Sequence, residues 1–419
     1  MNPDTLKVYV KTLGCKVNQV ESESLLSELS HYNVELAEDM SAAQVVVINT
    51  CSVTSEADAK TRKAIRKCAR QEGVVLAIPT GCSAALHEEE LNQLEENVCV
   101  VADKTSVARF IIDRFSLIKR KQVDSLETMR ADHPALFRSR SFVKVQDGCD
   151  NFCSYCIVPY ARGDVSSTPY ADVREHVEEL AANGVKEIVL TGINVGRYYD
   201  ETAGINTLAE LIRRLALSSI ERIRVSSIEP VHVDESFIDL FTTEPKLCEH
   251  LHIPLQSGSN LILSAMNRAY TREEFASMVA QLKNAVPHIA LTTDVIVGFP
   301  GEADEDFAET LELCERCGFA KIHVFRYSQR SGTPAAEMQQ IEPEVVAERA
   351  LRLRELGEKL ASEYRRAQKG RELEVLIERE QNHQLTATSR EHIVMTFPSS
   401  QPDLEGHLMK VGNIYKVLG

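Results

Sequence analysis

The stretch "SFVKVQDGCDNFCSYC", Ser141 to Cys156, decides how the rest of the chain is read. Its first half, "SFVKVQD" (141–147), reads as a β-strand, with Val143 and Val145 alternating against Lys144 and Gln146. Its second half brings Cys149, Cys153 and Cys156 together at C-x3-C-x2-C spacing, just beyond the carboxyl end of that strand. A structural zinc site closes with four ligands, and a cubane iron–sulfur cluster ordinarily takes four cysteines. Three thiolates leave one position open, as in metal sites that do chemistry. On spacing alone, a zinc site completed by a distant His or Cys stands as the alternative.

Downstream, strand-type runs and helical patterns alternate. The strands are "KEIVLTG" (186–192), "RIRVSSI" (222–228), "EHLHIPL" (249–255), "LTTDVIVGF" (291–299) and "KIHVFRY" (321–327), with helices predicted over 171–183, 206–218, 233–243, 271–286 and 304–317. Counting the strand at 141–147, six βα-type units make a partial or full α/β barrel, whose active residues belong at the strand carboxyl ends. Upstream, residues 7–115 alternate in the same way. "KVYVKTLG", "QVVVINT", "VVLAIPTG" and "VCVVAD" read as strands, and 18–30, 56–70 and 87–96 as helices, which predicts an open, mostly parallel sheet. Residues 116–139 lose the pattern and read as a linker. A charged helix is predicted over 343–369. The last fifty or so residues, with "ELEVLIE", "QLTATS", "HIVMTF", "GHLMKV" and "IYKVL", predict about five strands in a small β-barrel of a type that often binds oligonucleotides. The fold class is therefore α/β. Its domains are expected at 1–115, 140–342 and 370–419, joined by the linker 116–139 and the helix 343–369.

The upstream sheet carries a second set of cysteines. Cys15, Cys51 and Cys82 each follow a strand, in "KTLGC", "VINTC" and "IPTGC". Strand carboxyl ends share one edge of a parallel sheet, so three cysteines distant in sequence meet there. Plain burial at strand ends is the alternative for each of them. The other five, Cys68, Cys99, Cys248, Cys314 and Cys317, read as structural; the CxxC of Cys314 and Cys317 lies within a helical pattern without a second pair.

Composition narrows the class. The chain is 43% hydrophobic and 26% charged, as a globular protein with real cores should be, and no apolar run is long enough to span a membrane. The start "MNPDTLKVYV" has no export signal, and eleven cysteines in a cytoplasmic chain point to metal or burial rather than disulfides. A net charge of −15 argues against non-specific coating of nucleic acid. Two stretches lean basic: 348–371, with eight basic against four acidic residues, and "IKRK" (118–121).

Taken together, the motifs resemble the radical S-adenosylmethionine (SAM) methylthiotransferase family. The resemblance rests on "TLGCKVNQ", "VINTCSVT" and "PTGC" in the first domain, then "DGCDNFCSYCIVPYARG", "LTGINVGRY", "SSIEP", "HIPLQSGS", "DVIVGFPGE" and "HVFRYSQRSGTPA". It covers nearly the whole chain. It implies a SAM-binding [4Fe–4S] cluster on Cys149, Cys153 and Cys156, with the SAM methionyl group on the open iron. It implies a second [4Fe–4S] cluster on Cys15, Cys51 and Cys82 that supplies sulfur. It implies a radical SAM barrel followed by a TRAM-type RNA-binding barrel, an electron donor and a sulfur source as further partners, and tRNA as substrate. "TLGCKVNQ" is most similar to the branch acting on N6-threonylcarbamoyladenosine beside the anticodon, where adenine C2 gains a methylthio group. Isopentenyladenosine in tRNA and an aspartate of a ribosomal protein are the alternative substrates; a non-catalytic metal-containing RNA-binding protein is the alternative class.

By the same resemblance, Tyr155, Thr191, Gly192, Asn194, Glu229, Gln256, Ser257 and Gly298 are the SAM-contact candidates. Arg162 and Arg326 are each candidates for the substrate or for the SAM carboxylate. The terminal barrel has five basic against seven acidic residues over 371–419 and offers only Phe397 and Tyr415 for stacking. Single-strand binders usually combine a basic groove with aromatic platforms, so phosphate contacts are expected instead on the 348–371 helix, with Arg365 and Arg366 as candidates, and on the catalytic domain.

Overall fold

The computed structural model describes residues 5–120 and 139–419; most of the expected linker, and Lys121 of "IKRK", lie outside the described residues. The first unit is a parallel sheet in the order β2 (Val34–Leu36), β1 (Leu6–Thr12), β3 (Val45–Thr50), β4 (Leu76–Gly81). Helices α1 (Lys16–Ser30), α2 (Ser55–Ala69), α3 (Cys82–Leu86), α4 (Glu88–Asn92) and α5 (Val107–Arg114) follow or separate these strands. Every residue of β3 is buried: Val45 and Val47 enter the core on one face, Val46 and Ile48 that on the other. A strand covered on both faces reads as an unbroken apolar run, which is why "VVVINT" was legible. The expected strand "VCVVAD" lies alongside β4, with a bridge from Ala77 to Val98 and with the Cys99 and Val101 N–H groups donating to the Ala77 and Pro79 carbonyls, and the sheet's assigned edge on the other side is the three-residue β2.

The second unit has six parallel strands in chain order. These are β5 (Arg140–Lys144), β8 (Glu187–Thr191), β9 (Arg222–Val225), β10 (His250–His252), β11 (Ala290–Val297) and β12 (Lys321–Arg326). Isolated bridges Ile223–Leu247 and Ser227–His252 join the two three-stranded halves. The run 141–147 divides: after β5, a two-residue β6 (Gln146–Asp147) turns away to pair antiparallel with β7 (Ser166–Ser167), which aims the cysteine loop across the strand ends. The helices are α6 (Val158–Arg162), α7 (Tyr170–Ala182), α8 (Leu208–Leu215), α9 (Glu235–Thr243), α10 (Asn260–Ala265), α11 (Arg272–Ala285) and α12 (Asp304–Cys317). Cys314 and Cys317 pack into the core of this unit, and Cys68 and Cys99 serve the cores of the first.

Helix α13 (Pro343–Gln368) leads to a four-stranded antiparallel sheet, β15 (Val394–Pro398), β14 (Gln384–Ser389), β13 (Glu372–Gln381), β16 (Ile414–Leu418). The fifth expected strand, "GHLMKV", makes only the bridge Pro402–Leu408. The sheet docks at the amino ends of the parallel strands. Arg222, wholly buried at the start of β9, donates to Glu374 at 2.9 Å. Arg224 grips Glu187, at the start of β8, through two bonds of 2.8 and 3.1 Å, and donates also to the Ser389 and Arg390 carbonyls. Burial alone would raise the Glu187 carboxyl, but Arg224, Arg222 and Arg140 outweigh it and hold the group at about 2. The terminal sheet therefore sits at the end of the barrel opposite the cysteines.

Candidate functional site

The first three cysteines stand on one edge, as strand polarity requires. Cys15 follows β1, Cys51 follows β3 and Cys82 opens α3 directly after β4. These are adjacent strands, about 4.8 Å apart, so the side chains need to converge over only two strand spacings. Gly14 and Gly81 make the approach possible. Both have positive φ, and a Cβ on Gly14 would lie 2.7 Å from Cys51 Cβ, while one on Gly81 would lie 2.5 Å from Asn49 Oδ1. Burial pushes the Cys51 and Cys82 thiols up, and neighbouring sulfurs of the same triad push further in the same direction.

The second triad lies in the loop beyond β6. The Cys156 amide donates to the Cys153 carbonyl at 2.9 Å, and burial pushes the Cys156 thiol up to about 12. Thiols held this way stay protonated until a cation takes the proton's place. Neither triad has its three sulfurs within 4.8 Å of one another; among the described residues only Asp403, Glu405 and His407 form so tight a group. Tetrahedral zinc with bonds of about 2.3 Å would draw thiolates to roughly 3.8 Å. Three sulfurs around an open position suit a cluster that keeps one place for a further ligand.

The two cysteine edges face each other. Helix α3, which begins with Cys82, packs on α6, which follows Cys156 almost directly, and α1 packs on β5. Two arginines cross the junction. Arg162 donates to Glu21 Oε1 and Asp147 Oδ1 at 2.9 Å each and to Asn18 Oδ1 at 2.7 Å, and its charge also bears on the Cys82 sulfur. Lys104 and Lys144 complete the cluster, contacting the same two carboxylates at 2.6–2.9 Å. Burial would raise Asp147, but Arg162, Lys144 and Lys104 hold it well below the usual carboxylate range. Arg330, from the loop after β12, pairs with buried Asp58 at 2.6 Å and with Ser52 at 2.9 Å. Ser52 follows Cys51, so this second clamp also bears on the first triad. The Arg162 guanidinium thus lies between the two units, held by carboxylates rather than turned toward an open face.

The SAM-contact candidates gather at the strand carboxyl ends beside the second triad. Tyr155 stacks edge-on against Phe299, with centroids 6.5 Å apart. Thr191 closes β8, and Gly192 has no room for a side chain, since a Cβ would meet the Gln146 carbonyl at 2.8 Å. The Asn194 backbone N–H donates to Gln146 Oε1 at 2.7 Å, yet both polar atoms of its side-chain amide are buried without a partner among the described residues. A buried amide in that condition costs about 1–3 kcal/mol unless a ligand satisfies it, so this edge fits a polar cofactor. Glu229 pairs with Arg268, whose Nη1 donates to Cys153 Sγ at 3.1 Å. Gln256 has a φ of +65°, and its N–H donates to the Asp294 carbonyl. Ser257 Oγ is buried against Thr310, and the Gly298 N–H is taken by Glu302 at 2.8 Å.

Arg326 is exposed at the carboxyl end of β12. Arg365 and Arg366 are exposed too, but remote. Helix α13 starts against Gly298, where a Cβ would meet Val346 at 2.5 Å, and ends where Tyr364 donates to His288, before β11 begins. The nineteen residues from Val346 to Arg365 place these arginines about 28 Å down the barrel. Sequence reading missed Arg268, Glu21, Asp147 and Arg330. Each acts through a partner far along the chain, and no local pattern announces such a pair.

Comparison with known proteins agrees with this geometry. Residues 143–314 match the model described as "Radical SAM superfamily", and residues 7–103 match "Uncharacterized protein family UPF0004". Over 424 residues the chain is 37% identical to the threonylcarbamoyladenosine tRNA methylthiotransferase MtaB of Bacillus subtilis, covering 96% of this chain and 93% of that one. It is also 37% identical to the tRNA-2-methylthio-N(6)-dimethylallyladenosine synthase of Syntrophomonas wolfei, covering 97% and 94%. The solved structure of the radical SAM methyltransferase TsrM from Kitasatospora setae superposes with a TM-score of 0.58 at 16% identity, over 79% of this chain and 77% of that one, a likeness of fold. With a radical SAM core at its centre and relatives above 30% identity along almost its whole length, the chain belongs to the radical SAM tRNA methylthiotransferase family.

Proposed function

We propose that this protein adds a methylthio group to C2 of N6-threonylcarbamoyladenosine beside the tRNA anticodon. The observation that carries the reading is the pair of open three-cysteine sites on facing sheet edges, joined by Arg162. Cys149, Cys153 and Cys156 would hold the SAM-binding [4Fe–4S] cluster, and Cys15, Cys51 and Cys82 the second. Bound there, the clusters and SAM supply the electron, the radical, the sulfur and the methyl group. The chain's own part is placement. Asn194, with Thr191 and Gly192 beside it, would satisfy the polar end of SAM; Arg268 donates to Cys153 and is held in turn by Glu229. Arg162 and Arg330 fix the first unit against the barrel, which sets the distance between the two sites.

In this reading the chain divides into a first α/β domain to about residue 115, a partial (βα)6 barrel over 140–342 and a terminal TRAM-like barrel from 370. An electron donor and a sulfur source act as further partners, and Arg326, exposed at the strand carboxyl ends, faces the RNA. A dimethylallyladenosine substrate is the second reading, because relatives of both names share 37% identity with this chain. The test is anaerobic reconstitution with cognate tRNA, SAM and reductant, followed by nucleoside analysis. About eight irons per chain and a methylthio-threonylcarbamoyl nucleoside would support the proposal. A methylthio group only on dimethylallyladenosine would support the second reading, and bound zinc without SAM cleavage would overturn both.

A further inference from the structure

A third basic stretch emerges on the surface. Residues 59–70, "AKTRKAIRKCAR", hold six Lys or Arg and no acid, within a chain of net charge −15. They form most of α2, and the helix is divided by face. Thr61, Ala64, Ile65, Cys68 and Ala69 are buried against the first sheet, while Lys60, Lys63, Arg66, Lys67 and Arg70 are exposed and Arg62 is half-buried. Three of these charges have carboxylate neighbours: Lys60 with Glu56, Arg62 with Glu90 and Arg70 with Glu95. Among the described residues Lys63, Arg66 and Lys67 form no ion pair, although the field of Lys67 reaches the exposed Asp39.

The position of this face matters as much as its charge. The amino end of α2 abuts the reaction edge, where the Ser55 amide and hydroxyl bond Ser328 and Gln329 of the loop after β12. Between them lies a recess of about 520 Å³ lined in part by Arg62, His87, Tyr160 and Arg330. On the rim of the second triad, Phe152 and Tyr160 are 53% and 54% exposed, their rings 5.9 Å apart. Phe152 has a φ of +43°, which a bulky residue seldom adopts, and Asn267 holds it there through the Asn151 and Phe152 carbonyls. An exposed aromatic pair, a recess and a basic helix face thus run continuously away from the cysteines. Aromatic rings beside a basic track are what single-stranded and looped RNA requires. The apolar face of α2 is buried in the domain, so the helix has nothing to insert into a lipid surface.

We propose that the solvent face of α2, centred on Lys63, Arg66 and Lys67, binds the phosphates of the RNA substrate. This rests on the tRNA reading above and adds the surface by which the first domain engages the nucleic acid. It assigns to α2 the role that composition had placed on the end of α13.

The test compares wild type with a Lys63→Glu/Arg66→Glu/Lys67→Glu variant, using the reconstituted full chain and an anticodon stem-loop RNA over a range of salt. Iron content and RNA-independent 5′-deoxyadenosine formation report that the variant is folded and its SAM site intact. The inference expects unchanged values for both, about tenfold or greater loss of affinity, and a log–log salt slope shallower by about two to three, one lost phosphate contact per residue. Unchanged affinity and slope in a variant that retains its iron, with wild type binding the RNA, overturns this surface while leaving the tRNA reading intact. Failure of the wild type to bind the RNA at all overturns the tRNA reading, and this inference with it.

Discussion

Replacing Arg162 by Met should separate SAM cleavage from sulfur transfer. The guanidinium side chain is only 3% exposed and makes three bonds of 2.7–2.9 Å to groups on both sides of the junction, Glu21 and Asn18 in α1 and Asp147 in β6. Breaking a buried ion pair by removing one partner costs about 3–5 kcal/mol. Lys104 and Lys144 remain within 2.6–2.9 Å of the same carboxylates, which lowers the expected loss to about 2–3 kcal/mol. That corresponds to roughly a 30- to 150-fold shift toward an arrangement in which the two cysteine edges no longer meet. The second triad stands on the barrel's own loop, where Arg268 beside Cys153, Lys144 on Asp147 and the Cys149 N–H bond to the Gly163 carbonyl remain without the guanidinium. SAM cleavage in Arg162→Met should therefore stay within a few-fold of wild type, while methylthio product per 5′-deoxyadenosine falls by at least tenfold. Arg162→Lys, which keeps the charge without the planar fork, should fall between. The assay is simultaneous quantification of 5′-deoxyadenosine and modified nucleoside in single-turnover reactions. A parallel fall in both products, or a product ratio equal to wild type, would refute the reasoning.

Three further perturbations reach other parts of the molecule. Asn194→Ala removes a buried amide with no protein partner, so it should weaken SAM binding about tenfold while leaving the melting temperature within about 2 °C; a stability loss with unchanged SAM affinity would show that the amide is structural. Glu187 has its carboxyl depressed from 4.5 to about 2, so its contribution of about 3 kcal/mol is complete above roughly pH 4.3 and disappears as pH falls through 2. Denaturant titrations of the metal-free chain from pH 7 to 2 should show that acid-sensitive portion in wild type and lose it in Glu187→Gln; superimposable acid limbs would contradict it. Gly148→Ala should abolish iron at the second triad alone, because φ is +73° and a Cβ would lie 1.9 Å from the Asp164 carbonyl oxygen; full iron content in that variant would sink the prediction.

The cysteine sites were legible because both obey strand polarity. Cys15, Cys51 and Cys82 could be grouped without any tertiary information, since each ends a strand-type run, "KVYVKTLG", "QVVVINT" and "VVLAIPTG"; β3 and β4 are buried throughout, whereas in β1 only Leu6 and Val8 are. Strand β2 was missed because three residues carry no period, while "VCVVAD" does run alongside β4 through backbone bonds, its ladder interrupted where Pro79 offers no N–H. In the terminal sheet, "GHLMKV" alternates as a strand should, yet Gly406 and Gly412, both at positive φ, bound a loop there. The arginines that assemble the site were hidden for a different reason. Arg268 meets Cys153 across 115 residues and Arg330 meets Ser52 across 278, and only the folded chain supplies the register for such pairs. The eight-to-four basic excess at 348–371 was misleading as a surface signal, since Arg349 is buried on Glu302 and Lys359 and Arg371 are paired within the protein.

The clamp at Arg162 also sets an order on how the molecule is made. Translation delivers Cys15, Cys51 and Cys82 first, together with Glu21, whose cations are Lys104, Lys144 and Arg162. The first 120 residues contain the whole first sheet but only Lys104 of the three cations that hold Glu21. Asp147 then emerges, followed by Cys149, Cys153 and Cys156, and only after these the arginine that draws the two edges together. The residues that close the junction beside the first three thiols, Asp147 and Arg162, are thus among the later ones to be made.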